Sequence, residues 1–113
     1  MTIYNKWDII LVPFPFTNLK VTKKRPALIV SPAEFNMDQD YVIAFITSNV
    51  GAEYRHGDYH LKDWQSAQLP KASMLRMKFA TISKSIVVKR LGSISAGDQQ
   101  NISKSLSEFF KKN

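Results

Sequence analysis

Apolar residues fall along the chain in short runs broken by polar, turn-forming stretches, and near the C-terminus the period changes to a helical one. Trp7-Asp8-Ile9-Ile10-Leu11-Val12 is bulky on both faces and predicts a first, buried strand. Pro13-Phe14-Pro15-Phe16 follows, and its two prolines keep it out of a sheet interior. Residues 17–24 are polar and cationic, a long loop between the first two strands. Pro26 suits the first residue of a strand because it has no N–H for a ladder and disfavours helix at Arg25. Ala27 to Val30 then reads as a second buried strand. Residues 31–40 are rich in turn formers. Tyr41-Val42-Ile43-Ala44-Phe45-Ile46 is apolar throughout, predicting a central strand that ends in Thr47-Ser48-Asn49.

The second half is less regular. Residues 51–57 form a polar loop, and Asp58-Tyr59-His60-Leu61 predicts a short edge strand. A strand is expected over 73–79, with Arg76 and Lys78 on one side by the two-residue alternation. Ile86-Val87-Val88 reads as a further strand, and Leu91-Gly92 as the turn into a helix. Ser95 can cap that helix, and Asp98 suits the positive end of its dipole. Ile102, Leu106, Phe109 and Phe110 recur on one stripe that must dock on the sheet, and Lys111 and Lys112 suit the C-terminal end. Five or six short strands and one terminal helix predict a bent antiparallel sheet or partly open barrel, with the helix over one opening.

Composition narrows the chemistry. With 113 residues, 44% hydrophobic and 22% charged, the chain is expected to be one domain, residues 1–113, with its own core. Cysteine is absent, which excludes disulfides and thiolate metal sites. The N-terminal residues lack the apolar region of a signal peptide, and no run is long enough to span a membrane, so a soluble cytoplasmic protein is expected. Sixteen Lys+Arg against nine Asp+Glu leave a net charge of +7 and a pI near 9.8. That balance points to a nucleic-acid partner, and because the cations are dispersed, folding must assemble any basic patch.

Lys23-Lys24-Arg25 runs straight into the second strand, which holds Arg25 at its mouth, where a planar five-donor fork can clamp a phosphate. The competing reading is a solvated loop whose cations only keep the protein soluble. Thr47 and Ser48 either cap a turn or point into a site built on the sheet. Arg76 and Lys78 offer a second phosphate contact or a plain solvent face. Phe14 and Phe16 can stack unpaired bases or pack on the core. His56 and His60, the only histidines, are candidate acids or bases by their ordinary pKa, or surface residues. Asp38 and Asp40 lack the further oxygen ligands of a calcium loop and read as a solvated turn.

Several stretches, taken in order, resemble the MazF/PemK family of toxins from bacterial toxin–antitoxin pairs. They are Trp7-Asp8-Ile9-Ile10-Leu11-Val12-Pro13-Phe14-Pro15-Phe16-Thr17, Lys24-Arg25-Pro26-Ala27-Leu28-Ile29-Val30-Ser31, Ile46-Thr47-Ser48, Leu69-Pro70-Lys71-Ala72-Ser73 running to Arg76, and Arg90-Leu91-Gly92. The resemblance implies a mainly β fold, an SH3-like barrel of the CcdB/MazF type with a C-terminal α-helix. It implies a homodimer, no membrane association, no cofactor and no metal. The implied activity is sequence-specific cleavage of single-stranded RNA by attack of the 2′-OH on the adjacent phosphorus. A cognate antitoxin with an acidic, partly disordered tail would occupy the same groove, and the pair would bind DNA together. By this resemblance Arg25 and Thr47 are catalytic and Ser48 reinforces them. Lys20, Lys23, Lys24, Phe16, Asn18, Arg76 and Lys78 contact RNA. In the sequence neither a histidine nor an aspartate stands beside Arg25 or Arg76, so the general acid and base stay open. The segment 76–81 is about one residue shorter than the family pattern, so Arg76 and Lys78 either take part in chemistry or only hold phosphate. Two other readings compete: a non-enzymatic gyrase poison like the CcdB toxins, and a basic nucleic-acid-binding module without catalysis.

Overall fold

The computed structural model describes residues 3–14 and 23–111. The strands are β1 (Asp8–Pro13), β2 (Lys24–Ile29), β3 (Asp40–Thr47), β4 (Tyr59–His60), β5 (Met74–Ser83) and β6 (Lys89–Ser93). Two helices, α1 (Ala33–Asn36) and α2 (Ala96–Phe110), complete the elements together with a 3₁₀ turn at Lys84–Ile86. The strands make one antiparallel sheet in the order β4-β5-β3-β2-β1-β6, in keeping with the bent sheet or partly open barrel expected, with apolar β3 towards its centre. No helix among the described residues is long and apolar enough to cross a membrane.

Alternation along the strands divides the core between the two faces of the sheet. Ile9, Leu28, Ala44, Ile46 and Leu75 face α2, where Ile102 is fully buried among them. Ile10, Val12, Ala27, Ile29, Tyr41 and Ile43 build a second cluster on the opposite face, closed by Ile82. Helix α2 starts as its sequence predicts: the Ser95 hydroxyl accepts from the Asp98 backbone N–H at 3.2 Å. Asp98 does more than complement the dipole. It is buried, and accepts from the Tyr59 hydroxyl at 2.6 Å and from the backbone N–H groups of Lys62 and Asp63 at 3.1 and 3.0 Å. The docking stripe is shorter than expected, because Phe110 is 66% exposed.

Several boundaries differ from the sequence reading. Trp7 lies in a tight turn with φ +78°, closed by Asp8 donating to the Asn5 carbonyl, so β1 begins at Asp8. β2 begins at Lys24, so Arg25 is the second residue of the strand and Pro26 an interior one. Pro26 is tolerated because β3 joins β2 only from Ala27 onward, leaving one neighbouring strand at that point. Residues 31–40 contain the short helix α1, pinned by Asn36 hydrogen-bonded to Ser31. The strand expected at 86–88 is instead the end of the 3₁₀ turn and the residues after it; Ser83 caps that turn by accepting from the Ser85 N–H. Ile86 and Val87 still pack on the second cluster.

Leu91 and Gly92 are not a turn but lie within β6, paired to β1. A Cβ at Gly92 would stand 2.4 Å from the Ala67 carbonyl oxygen, a backbone atom that cannot swing aside. Gly92→Ala is therefore expected to cost about 1–3 kcal/mol, as overpacking does. Thermal unfolding would show a matching loss, and an unchanged melting temperature would mean that the 67–68 backbone gives way freely.

Candidate RNA-binding and catalytic site

Register carries the site residues to one face. Ile10, Ala27, Phe45 and Arg76 form a continuous row across β1, β2, β3 and β5. Val12 pairs with Arg25 in the next row. Continuing the β2–β3 register by two residues sets Arg25 opposite Thr47, so both side chains leave the sheet on the same side. Between Ala44 and Phe45 the β3–β5 register shifts, leaving Met77 and Lys78 as a bulge in β5. The bulge breaks the simple alternation expected for Arg76 and Lys78, yet both reach the same cavity.

That cavity, about 350 Å³, is lined by Arg25, Arg55, Arg76, Lys78, Thr47, Asn49 and the rings of Phe14 and Phe45, among others. A second cavity of about 320 Å³ is lined by Lys23, Lys24, Arg25, Lys71, Thr47, Ser48 and Ser73 with apolar neighbours. Arg25, Pro26, Ile46 and Thr47 belong to both linings and form the wall between them. Among the described residues, neither lining contains an aspartate or glutamate. Several cations gathered on a concave, partly apolar surface strengthen the local positive field.

The aromatic rings hold the cations in place. The Arg25 guanidinium lies 4.9 Å from the centre of the Phe14 ring, and Lys78 Nζ 5.2 Å from that of Phe45. Phe14 and Phe45 meet edge to face with centroids 6.0 Å apart. The Nε of Arg25 is buried without a hydrogen-bond partner among the described residues. Thr47 Oγ1 accepts from the Asn49 N–H at 3.1 Å, which fixes the hydroxyl and leaves its proton available as a donor.

The structure therefore brings Arg25, Thr47, Arg76 and Lys78 together on one cavity, and Lys23, Lys24 and Ser48 on the adjoining one. Phe16, Asn18 and Lys20 lie outside the described residues. The histidines line neither cavity: His56 stacks on Phe109 with centroids 6.2 Å apart, and His60 is exposed on β4. Arg55, Asn49 and Lys71 enter the site unannounced by local sequence. Only the folding of the 48–58 loop back over β5 places the first two, and only the return of residues 69–73 along β2 and β3 places Lys71. An aspartate does approach Arg76, contrary to the sequence reading: Asp58 Oδ2 lies 3.7 Å from its Nη2.

The same fold recurs in solved structures at low identity. An endoribonuclease in complex with its cognate antitoxin, from a mycobacterial species, superposes with a TM-score of 0.72 at 15% identity, covering 96% of this chain and 93% of that one. A MazE–MazF complex from Deinococcus radiodurans gives 0.74 at 15% identity with both chains fully covered. The Mycobacterium tuberculosis toxin MazF-mt6 gives 0.70 at 15%, covering 94% and 98%. No curated protein matches the chain. The family model for PemK-like, MazF-like toxins of type II toxin–antitoxin systems matches residues 5–110, and the chain belongs to that family.

Proposed function

We propose that this toxin is a metal-independent endoribonuclease that cleaves single-stranded RNA at short specific sequences, as a one-domain cytoplasmic protein. One observation carries the reading: Arg25 and Thr47 share the wall between two cavities lined by cations and, among the described residues, by no carboxylate. In this reaction the ribose 2′-oxygen attacks the adjacent phosphorus and gives up its proton. The bond from phosphorus to the 5′-oxygen breaks, and that oxygen takes up a proton. The products are a 2′,3′-cyclic phosphate and a 5′-OH end. Negative charge grows on the non-bridging oxygens as the fifth bond forms, and fixed donors aimed there supply most of the stabilisation. Arg25 offers a two-pronged grip and Thr47 a third bond. Ser48, exposed on the second cavity beside Thr47, reinforces that third bond, and Arg76 and Lys78 hold substrate from the first. Phe14 and Phe45 give a base an aromatic surface to rest on, the way single strands are commonly held.

Partners follow from the same charge. An acidic antitoxin tail satisfies the cations that RNA would occupy, and solved relatives of the fold include a toxin bound to its antitoxin. The toxin acts as a homodimer and binds DNA together with the antitoxin.

Incubating the purified protein with a long RNA in EDTA tests the activity. The expected result is a small set of cuts ending in 2′,3′-cyclic phosphate and 5′-OH. Intact RNA, bound with salt-dependent affinity, would point instead to a non-catalytic basic module. Intact RNA with inhibited gyrase would point to a poison of the CcdB kind. Lys23 is exposed at the rim of the second cavity, so Lys23→Ala should weaken RNA binding by about 1 kcal/mol at most. The slope of affinity against salt should fall by about 0.7, one phosphate contact on a single strand. A binding titration at several salt concentrations reads both.

A further inference from the structure

We propose that Asp58 is the positioning residue for Arg76, holding its guanidinium in the cavity from behind. The Asp58 side chain is 1% exposed and that of Arg76 16%, with 3.7 Å between Oδ2 and Nη2. The same Nη2 donates to the Glu53 carbonyl at 3.2 Å, so one end of the fork is gripped by two groups of the 53–58 turn. That turn is closed by its own hydrogen bonds. Asp58 Oδ2 accepts from the Arg55 N–H at 2.8 Å, and the Asp58 N–H donates to the Arg55 carbonyl at 3.0 Å. Gly57 takes φ +90° and packs so closely on β5 that a Cβ would meet Met77 Cγ at 2.5 Å. Asp58 Oδ1 is buried with no hydrogen-bond partner among the described residues.

A buried carboxylate with an unpartnered oxygen is costly, and nearby guanidinium charge is what offsets it. Arg55 and Arg76 line the cavity, whereas Asp58 does not, so Asp58 acts on substrate only through its neighbours. Its negative charge also works against RNA binding. A residue that opposes binding yet fixes a cation contributes to orientation, where a small misplacement costs rate steeply.

The kinetic test rests on the ribonuclease reading. Asp58→Asn keeps an oxygen for the Arg55 N–H and removes the charge. Its kcat on a defined RNA should fall about 10- to 100-fold, with KM unchanged or lower and the melting temperature nearly kept. In an Arg76→Ala background the same change should add less than about a twofold loss. Wild-type rates in Asp58→Asn, or an undiminished further loss on top of Arg76→Ala, would overturn the proposal. A second arm needs no activity: NMR of the Arg76 Nη–H groups should show resolved, slowly rotating signals in the wild type that average in Asp58→Asn. Signals already averaged in the wild type, or unchanged by the substitution, would also overturn it. Failure of the wild type to cut RNA at all would break the ribonuclease reading, and the NMR arm would still decide this one.

Discussion

Replacing Arg25 with alanine should reduce RNA cleavage by about 100- to 1000-fold, on the order of 3–4 kcal/mol of barrier, the usual cost of one donor lost from a developing oxyanion. The fold should survive. Arg25 is half-buried near the start of β2, where β3 has not yet paired, and its guanidinium lies over the face of Phe14. Losing that contact costs about 1 kcal/mol, a few degrees of melting temperature. Parallel cleavage assays and thermal scans on wild type and Arg25→Ala measure both numbers. Full activity in the variant would remove Arg25 from the chemistry, and an unfolded variant would make the strand end structural. Arg25→Lys sharpens the comparison: it keeps the charge but not the two-pronged geometry, so it should recover binding more than rate.

The second large effect concerns stability. Asp98→Ala strips the acceptor from the Tyr59 hydroxyl and from two backbone N–H groups, and unties α2 from the segment after β4. Each donor left unpaired at a partly buried site costs 1–3 kcal/mol, and water can reach the backbone pair, so the expected total is about 3 kcal/mol. At 4–8 °C per kcal/mol that is a fall of roughly 12 °C or more. Asp98→Asn should lose less, since one oxygen remains to accept.

The pH dependence follows from the same contacts. Burial pushes the Asp98 carboxyl up, but hydrogen bonds from Tyr59, the Asp63 and Lys62 backbone and Ser95 outweigh it and hold the group below the usual carboxylate range. A depressed folded-state pKa stabilises the protein above the unfolded value, and that share is lost as pH falls through the folded one. Tyr59 is shifted the other way, raised by burial and by its bond to Asp98. Its share is present below the ordinary tyrosine value and is lost as pH rises through the folded value. Melting temperature against pH should therefore drop at acid pH in the wild type and less steeply in Asp98→Ala. Identical acid limbs would show that Asp98 is not the coupled group.

What the sequence revealed, and what it hid, divides by the range of the interactions. The runs 9–12 and 41–46 and the stripe of α2 were legible because a strand or helix buried on one face must write its period locally. Arg25 and Thr47 were legible as candidates because each sits where an apolar run meets polar residues. Gly92 misled, since a glycine before a helix usually marks a turn, whereas here its missing side chain admits the Ala67 carbonyl beside an edge strand. Ile86 and Val87 misled too, because a short apolar run packs as well from a 3₁₀ turn as from a strand. Asp58 stands eighteen positions before Arg76 and Arg55 thirty after Arg25 in the numbering, and no local pattern announces that a loop will fold back over a β-bulge. Such contacts are settled by topology and by closure of the sheet.

A crystal structure of the toxin with an RNA spanning its mapped cleavage site, the attacking 2′-OH replaced by hydrogen, would locate the scissile phosphate itself. That phosphate is expected on the wall between the two cavities, its non-bridging oxygens about 2.7–3.1 Å from donors of Arg25 and Thr47. A phosphate held elsewhere, with the Arg25–Thr47 wall untouched by RNA, would rule out this pair as the catalytic centre.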